Sequence, residues 1–125
     1  MRLLLDTHVV LWALAKAGQL SERAAAVILR EDEVFVSAAS VWEIEIKRAL
    51  GKLDAPDDLE VVVEASGFRS LPIAFRHATR AGALPRHHGD PFDRMLVAQA
   101  QLEGLTLVTS DAAIAAYQVA VLPAS

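Results

Sequence analysis

The chain has 125 residues, of which 54% are hydrophobic and 22% are charged, and this fits one compact domain with a sizeable core. It contains no cysteine, which excludes a disulfide framework, a thiol nucleophile and a zinc–thiolate cluster. Its formal net charge of −4 argues against a protein that coats nucleic acid through basic charge alone.

Apolar runs and helical patterns alternate along the first half of the chain. Ser40 and Glu43 have the spacing of a capping box, which predicts that a helix starts at Ser40 and stops at Gly51. The elements predicted before it are a strand over 2–5, a helix from Asp6 to about Lys16, a helix over 24–31 and a strand over 34–36.

The same alternation continues in the second half. Pro91 follows Asp90, and a proline in the first helical position makes this a strong helix start. The predicted elements are a helix from Pro56 to Gly67, a strand over 68–73, a helix to Gly82, a loop over 84–90, a helix from Asp90 to Gly104, a strand over 105–109, a short helix after Asp111 and a strand over 119–122.

Strands that are nearly continuous apolar runs, separated by helices, indicate a parallel sheet covered on both faces. We therefore predict a three-layer α/β/α sandwich with about five strands. No linker or repeat divides the sequence, so a single domain over residues 1–125 is expected.

The first apolar run is too short for a secretory signal, and no run approaches the roughly 20 residues that cross a bilayer. A cytoplasmic protein without membrane attachment is expected.

Four acids stand where a predicted strand passes into a predicted helix. The ends where parallel strands pass into helices share one edge of the sheet, so acids far apart in sequence can meet in one pocket there. Carboxylates gathered in this way repel one another unless a hard cation lies between them, which predicts a Mg²⁺ or Mn²⁺ site. The four acids are Asp6, Glu43, Asp93 and Asp111.

Each acid taken alone has a simpler interpretation as a helix cap, which stabilises a helix by about 1 kcal/mol. Glu43 fits as the third residue of the Ser40 capping box, and Asp111 or Ser110 fits as a cap. However, Ser, Thr or Asn would cap equally well, so capping does not require a carboxylate at all four junctions. Asp90 already caps its helix, which leaves Asp93 spare. The group therefore favours a metal site more than any one member does.

Charge is segregated in the middle of the chain. Residues 54–64 contain five acids and no base, whereas residues 65–89 contain four arginines, three histidines and no acid. This basic stretch either holds a polyanion against a cation-filled site or is a solvated surface, and the pattern alone favours neither. His87 and His88 have the chemistry of transition-metal ligands, but no third nitrogen or sulfur ligand is evident, so a phosphate contact is favoured.

Taken together, the motifs resemble those of PIN-domain ribonucleases, and more closely those of the VapC-type toxins of bacterial toxin–antitoxin pairs. The segment His88-Gly89-Asp90-Pro91-Phe92-Asp93-Arg94, joined to Ala98-Gln99-Ala100, is the most specific of them. The other matching segments are residues 4–8, 37–44, 50–53 and 107–111, so the resemblance covers nearly the whole chain.

The resemblance implies a sheet of about five strands in the order 3-2-1-4-5 and a Mg²⁺-dependent endoribonuclease in which Mn²⁺ can substitute. It assigns metal binding and catalysis to Asp6, Glu43, Asp93 and Asp111, with support from Asp90, Thr109 and Ser110. It also implies a homodimer and a cognate antitoxin that covers the site. Candidate contacts to the RNA backbone are Arg86, His87, His88 and Arg94.

Three other functions are alternatives to a nuclease. A receiver-like phosphoacceptor domain would need an acidic pair after the first strand and a lysine after the last. Here a single acid, Asp6, follows the first strand, and no lysine lies beyond Lys52. A phosphatase built on Asp-x-Asp is disfavoured because position 8 is His. A non-catalytic PIN-like binding module stays open, although retention of all four acids speaks against it.

High apolar content also predicts an exposed apolar patch, with Trp12 and Trp42 as its candidates.

Overall fold

The five predicted strands form one sheet in a computed structural model, which describes residues 1–16 and 18–125. The strand order is β3-β2-β1-β4-β5 and every neighbouring pair is parallel, which confirms the predicted order 3-2-1-4-5. The strands are β1 (Leu3–Leu5), β2 (Val34–Ser37), β3 (Arg69–Leu71), β4 (Thr106–Thr109) and β5 (Val121–Pro123).

Helices cover both faces of this sheet, as the near-continuous apolar strands predicted. Leu3 and Leu5 pack with apolar residues of α1 to α4 on one face, whereas Leu4 packs with residues of α5 and α6 on the other. All three leucines are fully buried, and each such side chain contributes about 1.5–3 kcal/mol. The helices are α1 (Thr7–Ala15), α2 (Glu22–Arg30), α3 (Ala38–Ala49), α4 (Leu59–Ala65), α5 (Phe75–Ala83) and α6 (Pro91–Glu103), with a 3₁₀ turn at Ile114–Ala116.

The capping box predicted at Ser40 was wrong. β2 runs directly into α3, and Ser37 is the cap, with its hydroxyl accepting a hydrogen bond from the Ala39 N–H at 3.0 Å. Ser40 lies buried inside the first turn and its Oγ accepts a hydrogen bond from Thr7 Oγ1 at 3.1 Å. Glu43 is therefore in the second turn of α3, where capping does not explain its carboxylate.

Other boundaries differ by a few residues. α4 begins at Leu59 rather than at Pro56, and its cap residue Asp58 makes no side-chain capping bond. β5 begins at Val121, two residues later than predicted, and β3 is shorter at both ends. None of these shifts moves one of the four acids. Within the described residues, no helix is both long enough and apolar enough to cross a bilayer.

Candidate functional site

The edge of the sheet where β1, β2 and β4 end carries a cavity of about 380 Å³. Residues from four separate segments line it, and the four acids predicted from the sequence are all among them. Asp90, Ser110 and Lys47 also lie in the cavity wall, with Thr7, His8, Val9 and Trp12 on the side of α1. The cavity thus has five carboxylates and one ammonium group in its wall, so its electrostatic potential favours a cation.

Asp6 and Thr109 meet because of the sheet register. Leu5 pairs with Val108, so the next residues of β1 and β4 are neighbours, and Thr109 Oγ1 donates a hydrogen bond to Asp6 Oδ2 at 2.7 Å. The same hydroxyl accepts from the Asp111 N–H at 3.0 Å. Asp6 also caps α1 by accepting from the Thr7 N–H at 2.6 Å. Burial raises the pKa of Asp6 in spite of the bonds from Thr109 and Thr7.

Glu43 points into the cavity from α3 with only 4% of its surface exposed. Its Oε2 accepts a hydrogen bond from Lys47 Nζ at 2.6 Å. Its Oε1 is buried and has no hydrogen-bond partner in the part of the chain that the structure describes. A buried carboxylate oxygen without a partner is costly, so this atom fits a cation that the protein itself does not supply.

Lys47 was missed by the sequence analysis, although the signal for it was present. Glu43 and Lys47 are four residues apart on one helix, the spacing at which an acid and a base on the same face form a pair. The hydrogen bond to Glu43 raises the pKa of Lys47, and the charges of Asp90 and Asp93 add to the effect. The ammonium group is therefore part of the charge balance of the cavity.

Asp90 and Asp93 divide two roles at the start of α6. Asp90 is the cap, since its Oδ1 accepts from the N–H groups of Phe92 at 2.8 Å and Asp93 at 3.1 Å. Asp93 is thereby released from capping, as the sequence predicted. Burial, and then the charges of Asp6 and Asp90, raise the pKa of Asp93 to about 7, with the nearby His88 acting in the opposite direction.

His88 reaches the cavity acids from the loop before α6. Its Nε2 lies 2.8 Å from Asp93 Oδ2 and 3.0 Å from Asp111 Oδ2. Asp111 uses its other oxygen, Oδ1, to accept from the Ala113 N–H at 2.9 Å, so its two oxygens have separate functions. Burial lowers the pKa of His88, but the hydrogen bond to Asp93 and the charges of both acids outweigh it, and the net shift is upward.

Arg94 has a different environment from the one expected of an RNA contact. Its guanidinium donates to the backbone carbonyls of Ala81, Leu84 and Pro85 at 2.8–3.0 Å. These bonds hold the loop before α6 against the end of α5, so we assign Arg94 a structural role and do not retain it as an RNA contact. Arg86 and His87 are exposed on the same loop, where they remain candidates.

The basic stretch is only partly available to a polyanion. Arg69 lies 3.5 Å from an oxygen of Glu33, and Arg76 lies 2.7 Å from an oxygen of Glu103. Both acids lie outside the stretch, so these two arginines are better described as members of surface ion pairs.

Trp12, one of the two tryptophans expected in an apolar patch, packs partly buried against the core, whereas Trp42 is 61% exposed.

Comparisons with known proteins agree with this architecture. A family model for the PIN domain matches residues 3–120. The chain is 35% identical over 113 residues to ribonuclease VapC22 of Mycobacterium tuberculosis. This match covers 86% of this chain and 85% of that protein. FitAcB from Neisseria gonorrhoeae is 28% identical with a TM-score of 0.66, over 97% of this chain and 96% of that one. VapBC2 from Rickettsia felis, bound to a promoter DNA fragment, is 13% identical with a TM-score of 0.73 over both full chains, which supports the fold alone.

The match to the family model spans far more than half of the chain, and the identity to VapC22 extends over most of both proteins. The strand order is also the one that the resemblance implied. The chain therefore belongs to the PIN-domain family and is of the VapC type.

Proposed function

We propose that this protein is a divalent-metal-dependent endoribonuclease that acts as the toxin of a toxin–antitoxin pair. The observation that carries the proposal is the cavity in which Asp6, Glu43, Asp93 and Asp111 converge, with the buried Glu43 Oε1 lacking a partner among the described residues. The identity to a protein named as a ribonuclease supports the same reaction.

The oxygen-rich wall fits Mg²⁺, with Mn²⁺ able to substitute, since both ions prefer carboxylate and water ligands. We assign the main ligand roles to Asp6, Glu43 and Asp93, and an additional role to Asp111. Held by these residues, such an ion would supply charge neutralisation at a phosphodiester and would lower the pKa of a water molecule. Hydrolysis of the P–O3′ bond would leave a 5′-phosphate and a 3′-hydroxyl.

The protein's own residues prepare the cavity for this reaction. Thr109 fixes the rotamer of Asp6, and Lys47 fixes that of Glu43, so two carboxylates are held in place before any ligand arrives. Asp90 holds the first turn of α6, which presents Asp93. Arg86 and His87, exposed on the loop beside Asp93, are proposed to contact the RNA backbone.

The decisive experiment incubates purified protein with cellular RNA in EDTA, in Mg²⁺ and in Mn²⁺, beside the Asp93→Asn variant. Cleavage is expected with either metal and is expected to be lost in EDTA and in the variant. Sequencing of the cut ends then identifies the target and tests for the 5′-phosphate. RNA that is bound but remains intact with both metals would make the protein a binding module instead.

We further propose a cognate antitoxin and a homodimer. Several structural relatives are toxin–antitoxin or FitAB assemblies, and the acidic cavity is complementary to a basic side chain from an inhibitor. The exposed Trp42 and Leu50, at 61% and 63%, supply apolar surface of the kind that a protein partner covers. An RNase with this role would act in the cytoplasm, where its RNA substrate and antitoxin are made.

A further inference from the structure

His88 joins two of the cavity acids that are distant from each other in sequence. Asp93 lies in the first turn of α6 and Asp111 follows β4, and one imidazole nitrogen is within 3.0 Å of an oxygen from each. The sequence showed no third nitrogen or sulfur ligand beside His87 and His88. The fold instead brings two carboxylates to His88, because the loop and the end of β4 meet at the same edge of the sheet.

The three atoms have the spacing of neighbouring ligands around one ion. Ligand atoms about 2.0–2.2 Å from a metal and at right angles to each other lie about 3 Å apart. His88 Nε2 is 2.8 and 3.0 Å from the two carboxylate oxygens, and all three atoms lie within 4.8 Å of one another. An N–H group on His88 Nε2 can point directly at only one of the two carboxylate oxygens. A bound cation, in contrast, can be coordinated by both oxygens at once.

The loop that carries His88 is built to hold this ring in position. The His88 N–H donates to Tyr117 Oη at 2.9 Å, and the Tyr117 hydroxyl donates to the Pro85 carbonyl at 2.9 Å. Arg94 donates to the same Pro85 carbonyl and to two further carbonyls, those of Ala81 and Leu84. These contacts orient the loop backbone, and the imidazole faces the two acids.

An independent feature of the same cavity also indicates a cation. Glu43 is 5% exposed at its side chain, and its Oε1 has no partner among residues 1–16 and 18–125. Glu43 lines the same cavity as Asp93 and Asp111, the two acids that His88 contacts.

We propose that His88 is a metal ligand, and that with Asp93 and Asp111 it forms a mixed nitrogen and oxygen set that favours Mn²⁺ over Mg²⁺. The inference rests on the proposed function for the identity of the acids, and it adds a ligand and a metal preference. Mn²⁺ is the weakest binder in the transition-metal affinity series, but it accepts an imidazole nitrogen among carboxylate ligands more readily than Mg²⁺, which takes oxygen ligands and retains water. Loss of His88 should therefore weaken Mn²⁺ binding by about ten-fold and change Mg²⁺ binding by less than about two-fold.

The test is pulsed electron paramagnetic resonance of the Mn²⁺-loaded protein, which detects a directly bound nitrogen through ¹⁴N modulation of the spin echo. Modulation is expected in the wild type, and also in the His87→Gln control, whose ring lies on Tyr117 outside the cluster. It is expected to disappear in His88→Gln, while Mg²⁺ competition measures the change in preference. Circular dichroism of both variants confirms that they are folded.

Two outcomes would overturn the inference. One is bound Mn²⁺ without ¹⁴N modulation in the wild type, and the other is modulation that persists in His88→Gln, which would assign the nitrogen to another residue. RNA cleavage is scored separately. Cleavage without a nitrogen signal removes His88 as a ligand but keeps the nuclease, whereas a nitrogen signal without cleavage keeps the ligand and removes the nuclease.

Discussion

Replacement of Asp93 by Asn should make the metal-free protein more stable at alkaline pH. The folded state raises the pKa of Asp93 from its usual 3.8 to about 7, because burial and the charges of Asp6 and Asp90 disfavour the ionised form. The unfolded chain releases this proton near pH 4 and the folded protein near pH 7. Asp93 therefore lowers the free energy of unfolding progressively as pH rises from about 4 to 7, and by a constant amount above that.

The size of the effect follows from the shift. A rise from 3.8 to about 7 corresponds to at most about 4 kcal/mol at pH 8. Solvent screening at the open side of the cavity reduces this to about 1–2 kcal/mol. Asn has the shape of the protonated acid, so the variant should match the wild type near pH 4 and exceed it by this amount at pH 8.

Urea denaturation in EDTA at pH 3.5 and pH 8 measures the difference. Glu22→Gln is the matched control, because it removes a first-turn acid from α2, outside the cavity. That control should lose about 0.3–1 kcal/mol at pH 8 through its helix dipole, the opposite sign. If Asp93→Asn is also destabilised at pH 8, then Asp93 acts as an ordinary first-turn acid and the argument for a crowded carboxylate site is refuted.

Four further predictions concern the same site and the surface around it. Saturating Mg²⁺ should raise the melting temperature of the wild type, since a ligand at 100 times its Kd adds about 2.7 kcal/mol to the free energy of unfolding. It should have little effect on Asp93→Asn. Equal shifts in both proteins would argue against binding at this cavity. Lys47→Met should lower the free energy of unfolding in EDTA by about 1–3 kcal/mol, because it leaves the Glu43 carboxylate buried without its charge partner. Lys47→Arg keeps the charge and should lose less stability. A urea midpoint of Lys47→Met equal to that of the wild type would contradict this. Thr109→Val should cost about 1–3 kcal/mol in thermal melts, since the Asp6 carboxylate and the Asp111 N–H both lose a partner, and Thr109→Ser is the control that keeps the hydroxyl. Sedimentation equilibrium should show a dimer that Trp42→Lys weakens, and a wild type that remains monomeric at high concentration would rule the dimer out.

The fold was largely predictable because β1 is wholly apolar, and β2 and the run 105–109 that contains β4 are mostly apolar. Residues 3–5 are fully buried, as a strand covered on both faces must be, and Gly104 ends α6 in the left-handed conformation that favours glycine. The start of α3 was mispredicted for a local reason. Ser37 and Ser40 both have capping chemistry, and the sequence does not reveal that β2 continues into Ser37 and passes directly into the helix.

The acids of the site were predictable, and the spacing of Lys47 from Glu43 was a usable signal, but the position of His88 was not predictable. The acids follow strand ends, and strand ends are readable from apolar runs. The position of His88 depends on a loop that Tyr117 holds from 29 residues away in sequence, and no local pattern indicates that contact. Arg94 illustrates the same limit, because its charge suggested a polyanion whereas its partners are carbonyls of the neighbouring loop.

The distribution of partners explains how these carboxylates can be assembled before a metal binds. Lys47 balances Glu43 on one side of the cavity and His88 lies between Asp93 and Asp111 on the other, while Asp6 depends on neutral donors from Thr7 and Thr109. Asp6 and Asp93 are the cavity acids whose pKa is raised, in both cases mainly by burial, and the charges of neighbouring acids add to the effect. Among the described residues, Glu43 Oε1 has no partner even though a lysine reaches the same carboxylate, because Lys47 binds only Oε2. The protein thus holds its acids in place with its own cations but does not neutralise them fully, and the remaining negative charge is what favours a divalent ion.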